Sequence, residues 1–141
     1  GAEVGPGGIL GERGGLVAKR HHDGGKGEED QPFEMVVHRA LEPGGILVQQ
    51  SESPLAHLEL IRSMHGHMKA AGFTAVRTLP FPQPCYPTGW WSCTMARKGV
   101  DLDGFRERGA QTKPFATRYY NAEVHKAALA LPEFLAEALG E

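Results

Sequence analysis

The sequence predicts an α/β fold: part of an open sheet that ends in an antiparallel strand pair and is followed by carboxyl-terminal helices. Three observations carry this. From Gln31 onward, stretches with apolar residues at helical spacing alternate with short runs suited to strands, the order that builds a sheet with right-handed crossovers. No helix fits between Leu79 and Trp90, and parallel neighbours need a crossover of about a dozen residues or more, so the last two strands should pair antiparallel. The chain has 141 residues, the size of one domain, enough for a single core that hides roughly 68–70% of the unfolded surface.

The elements follow in order. Asp30 is placed to cap a helix, Pro32 fits its first turn, and Phe33, Val36, Val37, Ala40 and Leu41 recur at helical spacing until Pro43 forces a stop. Gly44-Gly45 allows a tight turn into Ile46-Leu47-Val48-Gln49-Gln50, whose continuous apolar start suits a strand covered on both faces. Ser53-Pro54 is a good helix opening, and Leu58, Ile61, Met64, Met68 and Ala71 keep one apolar stripe until Gly72. Phe73 to Leu79 reads as the next strand, Pro80 to Thr88 as a Pro-rich loop, and Trp90 to Ala96 as a further strand. Asn121 is placed to cap a helix running to Leu129, and Pro132 to open a last one running to Leu139. Helix, strand, helix, strand, loop, strand is the order at the end of a class I methyltransferase-like, Rossmann-like sheet.

Residues 1–30 differ in kind. Glycine pairs alternate with charges, a composition that cannot bury enough apolar surface to offset the entropy of ordering, so this segment reads as loop, disorder or a divergent stretch, and 31–141 as the folded part. Gly8-Ile9-Leu10 and Leu16-Val17-Ala18 are the exceptions, short apolar patches able to dock on a neighbouring surface.

Bulk properties exclude several function classes. Fifteen Lys and Arg against seventeen Asp and Glu give a formal charge of −2, with no basic field to draw the protein onto nucleic acid or acidic membranes. No apolar run approaches the ~20 residues needed to span a bilayer, and the basic-then-apolar layout of a secretory signal is missing, so a cytoplasmic address is expected. Cys85 and Cys93 flank one turn-like segment and read as reduced, partly buried thiols. Cys85 has no neighbour that lowers its pKa and is expected to be inert. His65 and His67 point in different directions on a helix and read as a solvated pair, not metal ligands, and His21-His22 reads the same way.

Leu41-Glu42-Pro43-Gly44-Gly45-Ile46-Leu47 is similar to a helix-to-strand turn common among Rossmann-like methyltransferases. Three further blocks narrow it: Gln49-Gln50-Ser51-Glu52-Ser53-Pro54 with His57; Tyr86-Pro87-Thr88-Gly89-Trp90-Trp91-Ser92; and Tyr119-Tyr120-Asn121-Ala122-Glu123-Val124-His125 leading to Leu131-Pro132-Glu133-Phe134. In order and spacing these resemble the carboxyl-terminal half of the spermidine synthases, the polyamine aminopropyltransferases. The resemblance implies transfer of an aminopropyl group from decarboxylated S-adenosylmethionine, a co-substrate, to putrescine, with no metal or other cofactor and in a homo-oligomer. By motif position it implies that Gln50 and Tyr86 line the polyamine side of the cleft. Gln50 falls at the carboxyl end of an expected parallel strand, where open α/β sheets place ligands, and its amide oxygen can accept from an ammonium group. Tyr86 offers a hydroxyl and a ring face. Trp90 and Trp91 read as packing groups. Glu52 reads equally as a polyamine partner or as a carboxylate serving a helix dipole.

The family's donor-binding glycine motif, its acidic ribose-binding residue and the Asp-rich loop with the catalytic base lie upstream of the matched region. Val4-Gly5-Pro6 with Gly8-Ile9-Leu10 is similar to the segment just after that loop, which sets the catalytic aspartate's place near Ala2, a residue that takes no proton. The catalytic residue is therefore unassigned. Residues 11–30 fit an insertion, a divergent loop or a mistranslated stretch. Without earlier strands, Ile46 to Gln50 would form an exposed apolar edge, so a truncated, inactive form or a partner-dependent half is expected. An S-adenosylmethionine-dependent methyltransferase-like protein and a non-catalytic dimerisation module are the alternatives.

Overall fold

The turn at Gly44-Gly45 shows how the chain enters its sheet. Gly44 takes φ of 81°, a region that side chains disfavour, and its N–H donates to the Lys98 carbonyl at 2.7 Å, while Lys98 N–H returns to Gly45 at 3.0 Å. The fold around this turn is known from a computed structural model, which describes residues 32–141 together with the strands Gly8–Leu10 and Gly15–Ala18.

In chain order the elements are β1 (Gly8–Leu10), β2 (Gly15–Ala18), α1 (Phe33–Ala40), β3 (Ile46–Gln50), α2 (Leu58–Ala70), β4 (Ala75–Pro82), β5 (Trp90–Arg97), α3 (Glu107–Gln111), α4 (Ala122–Ala128) and α5 (Glu133–Leu139). The described strands form one sheet in the order β1-β2-β3-β5-β4. β2 runs parallel to β3, β5 runs antiparallel to both β3 and β4, and β1 runs antiparallel to β2. The expected antiparallel ending is therefore present, and α2 makes the crossover between β3 and β4. The apolar edge expected at β3 is covered, because Gly15–Ala18 pairs with Ile46–Gln49 and takes up its backbone donors and acceptors. Asp30, and residues 1–30 outside the two short strands, lie outside the described residues.

Register decides what each face holds. Leu47 pairs with Ala96, and Ala96 with Val76, so these three share one face with Gln49, Ser51, Ser92, Thr94 and Thr78. α1 and α2 cover it: Val37, Leu41, Leu47, Met68, Phe73 and Ala96 form the core, with Phe33, Met64, Ala71 and Val76 packed around them. Burying an aliphatic side chain of this size stabilises by about 1.5–3 kcal/mol, so this half of the face anchors the domain. The other half is polar and leads to the site.

Several expectations are corrected. The strand before the Pro-rich loop runs on through Pro80 and Pro82, because β4 is the sheet's edge and an edge strand tolerates residues that cannot donate to a ladder. Ser53-Pro54 does not open α2. Ser53 instead anchors a separate turn, its carbonyl accepting from Ala56 and His57, and the helix begins at Leu58. On α1, Val36 and Ala40 face solvent, while Glu34 and Val37 are buried. His65 is buried, not solvated; His67 is exposed as expected. Cys85 is exposed and Cys93 half-buried, both free thiols. The short α3 is not signalled by the sequence pattern. α4 and α5 occur where Asn121 and Pro132 place them, with Asn121 Oδ1 accepting from Val124 N–H at 2.8 Å.

Candidate active site

Gln49 and Gln50 are chemically identical and structurally opposite. Alternation turns Gln49 inward, 4% exposed, while Gln50 is exposed on the face away from α1 and α2, at the carboxyl end of β3. Gln50 pairs with Cys93 on β5, and two residues along that same face stands Trp91. Tyr86, in the loop that joins β4 to β5, lays its ring against Trp91 with centroids 4.2 Å apart and planes tilted by 37°. The two residues singled out from the sequence thus come to one end of one sheet face. Tyr86 is partly open to solvent, and Trp91, 7% exposed, is the packed floor beneath it.

The loop that carries Tyr86 is built by short-range bonds. Tyr86 N–H donates to Gln83, Gly89 N–H to Tyr86, and Gln83 N–H to Gly89, closing a compact turn between the antiparallel strands. Thr88 fastens it to the neighbouring loop: its hydroxyl oxygen lies 2.8 Å from Ser53 Oγ and 2.8 Å from the Trp90 carbonyl, to which its single proton can be given. Trp90 turns the other way and meets Phe134 of α5 edge-on at 6.1 Å. Both tryptophans are therefore packing groups.

Beyond Gln50, the backbone turns sharply. Glu52 has φ of 68° and is the one described residue other than glycine with positive φ. Its carboxylate lies 4.0 Å from His57 Nδ1, and the His57 ring approaches Trp91 at 6.4 Å. Gln50, Glu52, His57, Trp91 and Tyr86 thus bring an amide, a carboxylate, an imidazole and an aromatic face to one sheet end. That set suits a cation carrying N–H donors. Burial pushes the Cys93 thiol pKa up, so beside Gln50 it stays a thiol and no nucleophile.

The sequence reading does not anticipate the buried hydroxyls behind this cluster. Ser51, Ser92, Thr94 and Thr78 are buried completely, and His65 lies with them. The signal was the strand period: they occupy the same parity as core-facing Leu47, Ala96 and Val76. A concavity of about 620 Å³ lies elsewhere, lined by Phe105, Arg106, Lys113, Phe115, Tyr120 and His125 among others and by none of the residues above. A shallow substrate wall need not enclose a cavity, and the Gln50 cluster holds the amide, carboxylate and aromatic groups that a cation calls for. Among the described residues, no group of three or more His, Cys, Asp or Glu side chains is placed to hold a metal ion. No described helix is long and apolar enough to cross a membrane.

Comparison with known proteins decides the family. The family model for the spermine/spermidine synthase domain matches residues 21–104, more than half of the chain. The chain belongs to the spermine/spermidine synthase family. A polyamine aminopropyltransferase of Xylella fastidiosa strain M12 is 56% identical over 117 residues, 82% of this chain and 41% of that protein. That of Methylococcus capsulatus is 59% identical over 112 residues, 79% of this chain and 39% of the relative. Among solved structures, spermidine synthase from Thermotoga maritima matches with a TM-score of 0.68 at 29% identity, over 77% of this chain and 38% of that one. A spermidine synthase in complex with the transition-state analogue AdoDATO gives 0.69, again at 29% identity. The family members thus named are transferases, and their methyltransferase-like fold is the one described above. The chain spans about two fifths of the length of the curated relatives it matches.

Proposed function

We propose that this chain supplies the acceptor side of an aminopropyl-transfer site, where Gln50 and Tyr86 hold putrescine against a co-substrate, decarboxylated S-adenosylmethionine. One observation carries the reading: Tyr86 lies against Trp91 at the same end and face of the sheet as exposed Gln50, with the Glu52 carboxylate 4.0 Å from His57, whose ring also approaches Trp91. A diammonium chain has N–H donors for the Gln50 amide oxygen, positive charge for Glu52, and methylenes for the Tyr86 ring.

In the reaction, the lone pair of a neutral putrescine nitrogen attacks the aminopropyl carbon bonded to sulfur. A C–N bond forms as the C–S bond breaks, the sulfonium leaves as the neutral thioether methylthioadenosine, and the new ammonium gives its extra proton to a base. Gln50 and Tyr86 contribute by fixing the amine in line with the C–S bond, since alignment removes much of the entropic barrier. The family resemblance implies a donor pocket and base in the part of the relatives that this chain does not match. Turnover is therefore expected of a polypeptide that joins both parts, not of the described residues by themselves. The same resemblance carries the expectation of a homo-oligomer in the cytoplasm.

Steady-state kinetics on the intact polypeptide that carries this sequence test the assignment. Gln50→Leu removes a hydrogen bond to a charged group, about 1.5–3 kcal/mol, so KM for putrescine should rise by roughly tenfold to a hundredfold while KM for the donor stays unchanged. Tyr86→Ala should behave alike, and Tyr86→Phe, which keeps the ring, should lose less. Unchanged putrescine KM in both Gln50→Leu and Tyr86→Ala would refute the acceptor assignment.

A further inference from the structure

Five side chains that the transfer chemistry does not use form a continuous line through the buried face of the sheet. His65 Nε2 lies 2.8 Å from Thr78 Oγ1, which lies 2.8 Å from Thr94 Oγ1. Thr94 Oγ1 is 2.9 Å from Ser51 Oγ, and Ser51 Oγ is 2.9 Å from Ser92 Oγ. Ser92 Oγ then donates to the Glu52 carbonyl at 2.8 Å.

The direction of this chain is set from its far end. A carbonyl oxygen only accepts, and a hydroxyl has a single proton to donate. Ser92 commits its proton to Glu52 and so accepts from Ser51. Ser51 in turn accepts from Thr94, Thr94 from Thr78, and Thr78 from His65, whose Nε2 must carry hydrogen. A neutral ring with that proton agrees with its surroundings, where burial first and the Lys69 charge second lower the pKa to about 4. Successive bonds pointing one way strengthen one another in a dry interior.

The far end matters because the left-handed turn at Glu52 is disfavoured for a residue with a side chain and persists only where its surroundings hold it. Ser92 grips that turn from two sides: its hydroxyl takes the Glu52 carbonyl, and its own carbonyl accepts from Ser51 N–H at 3.0 Å. We infer that His65 is a positioning residue for the acceptor side of the cleft, the donor at the head of a one-way hydroxyl chain that holds the Glu52 turn between Gln50 and His57. Its role in the cleft rests on the acceptor-site reading above; the direction of the chain and its hold on the turn do not.

The test uses the intact polypeptide labelled with nitrogen-15. The ring nitrogens of His65 report the tautomer, the Glu52 and Ser53 amides report the turn, and titration with putrescine reports affinity. The wild type should show the Nε2–H tautomer at neutral pH. His65→Leu should displace the Glu52 and Ser53 signals and weaken putrescine binding by about fivefold or more. His65→Gln, whose amide N–H stands near the place of Nε2–H, should restore both. An Nδ1–H tautomer or an imidazolium in the wild type overturns the inference, and so does a His65→Leu protein that keeps the wild-type turn signals and affinity. Should His65→Leu fail to fold, Ser92→Ala removes only the last donor and is read the same way: displaced turn signals support the inference and unmoved ones overturn it. A wild type that binds no putrescine overturns the acceptor-site reading and with it the role in the cleft, while tautomer and turn still decide whether the chain holds Glu52.

Discussion

His65 carries a pH dependence as well as a position. Burial and then the Lys69 charge take its pKa from 6.5 down to about 4, so between those values the unfolded chain binds the proton and the folded one does not. Stability is therefore complete above about pH 6.5 and falls as the pH drops from there towards 4, by roughly 1–2 kcal/mol between pH 7 and pH 5 once solvent screening is allowed for. Urea unfolding at the two pH values should show this drop in the wild type and a clearly smaller one in His65→Gln; equal drops would contradict the assignment. At this scale the sequence is legible where a motif names a residue and less so where a face must be chosen. Gln50 and Tyr86 are readable as uncommon words in a family pattern, but which of two adjacent glutamines turns outward depends on register. His65 lies four residues after Ile61 and three before Met68, on the apolar stripe itself, yet a histidine's polarity argues for solvent until a hydroxyl partner such as Thr78 is known.

Single elements are held in place by contacts that cross between them. Lys98, just past β5, reaches back to α1, where its Nζ donates to the carbonyls of His38 and Leu41 at 2.7 Å each. These are carbonyls that the end of a helix leaves without intrahelical partners, and a cation there also meets the negative end of the helix dipole. Lys98→Met keeps the stem and loses both bonds, so it should lower stability by about 1–2 kcal/mol, read as a lower urea midpoint with an unchanged slope. An unaltered midpoint would show the contact to be idle. Helices with side-chain caps or proline starts, α4 and α5, are legible in the sequence because their signals are local. Strand limits are less so: Pro80 and Pro82 signal a loop locally, and only the edge position of β4 makes them compatible with a strand. The start of α2 fails for the same reason, since Ser53 is engaged by the Thr88 hydroxyl from a loop distant in sequence.

Across the whole molecule, one sheet face changes character along its length. Leu47, Ala96 and Val76 pack under α1 and α2 at one end; Ser51, Ser92, Thr94 and Thr78 replace them at the other, immediately behind Gln50 and Glu52. The apolar end anchors the sheet and the hydroxyl end shapes the site, which ties the architecture to the function proposed for it. The antiparallel ending was legible because a short connection between two strands leaves one arrangement open. The pairing of Gly15–Ala18 with β3 was not, because a four-residue strand has too little period to stand out from a glycine-rich background. Aminopropyl transfer to putrescine is the function proposed for these residues. Its most direct test incubates the intact polypeptide carrying this sequence with putrescine and either decarboxylated or ordinary S-adenosylmethionine, and follows the products. Spermidine and methylthioadenosine from the decarboxylated donor alone are the expected result; methyl transfer from the ordinary donor, or donor consumption that does not depend on putrescine, would contradict it.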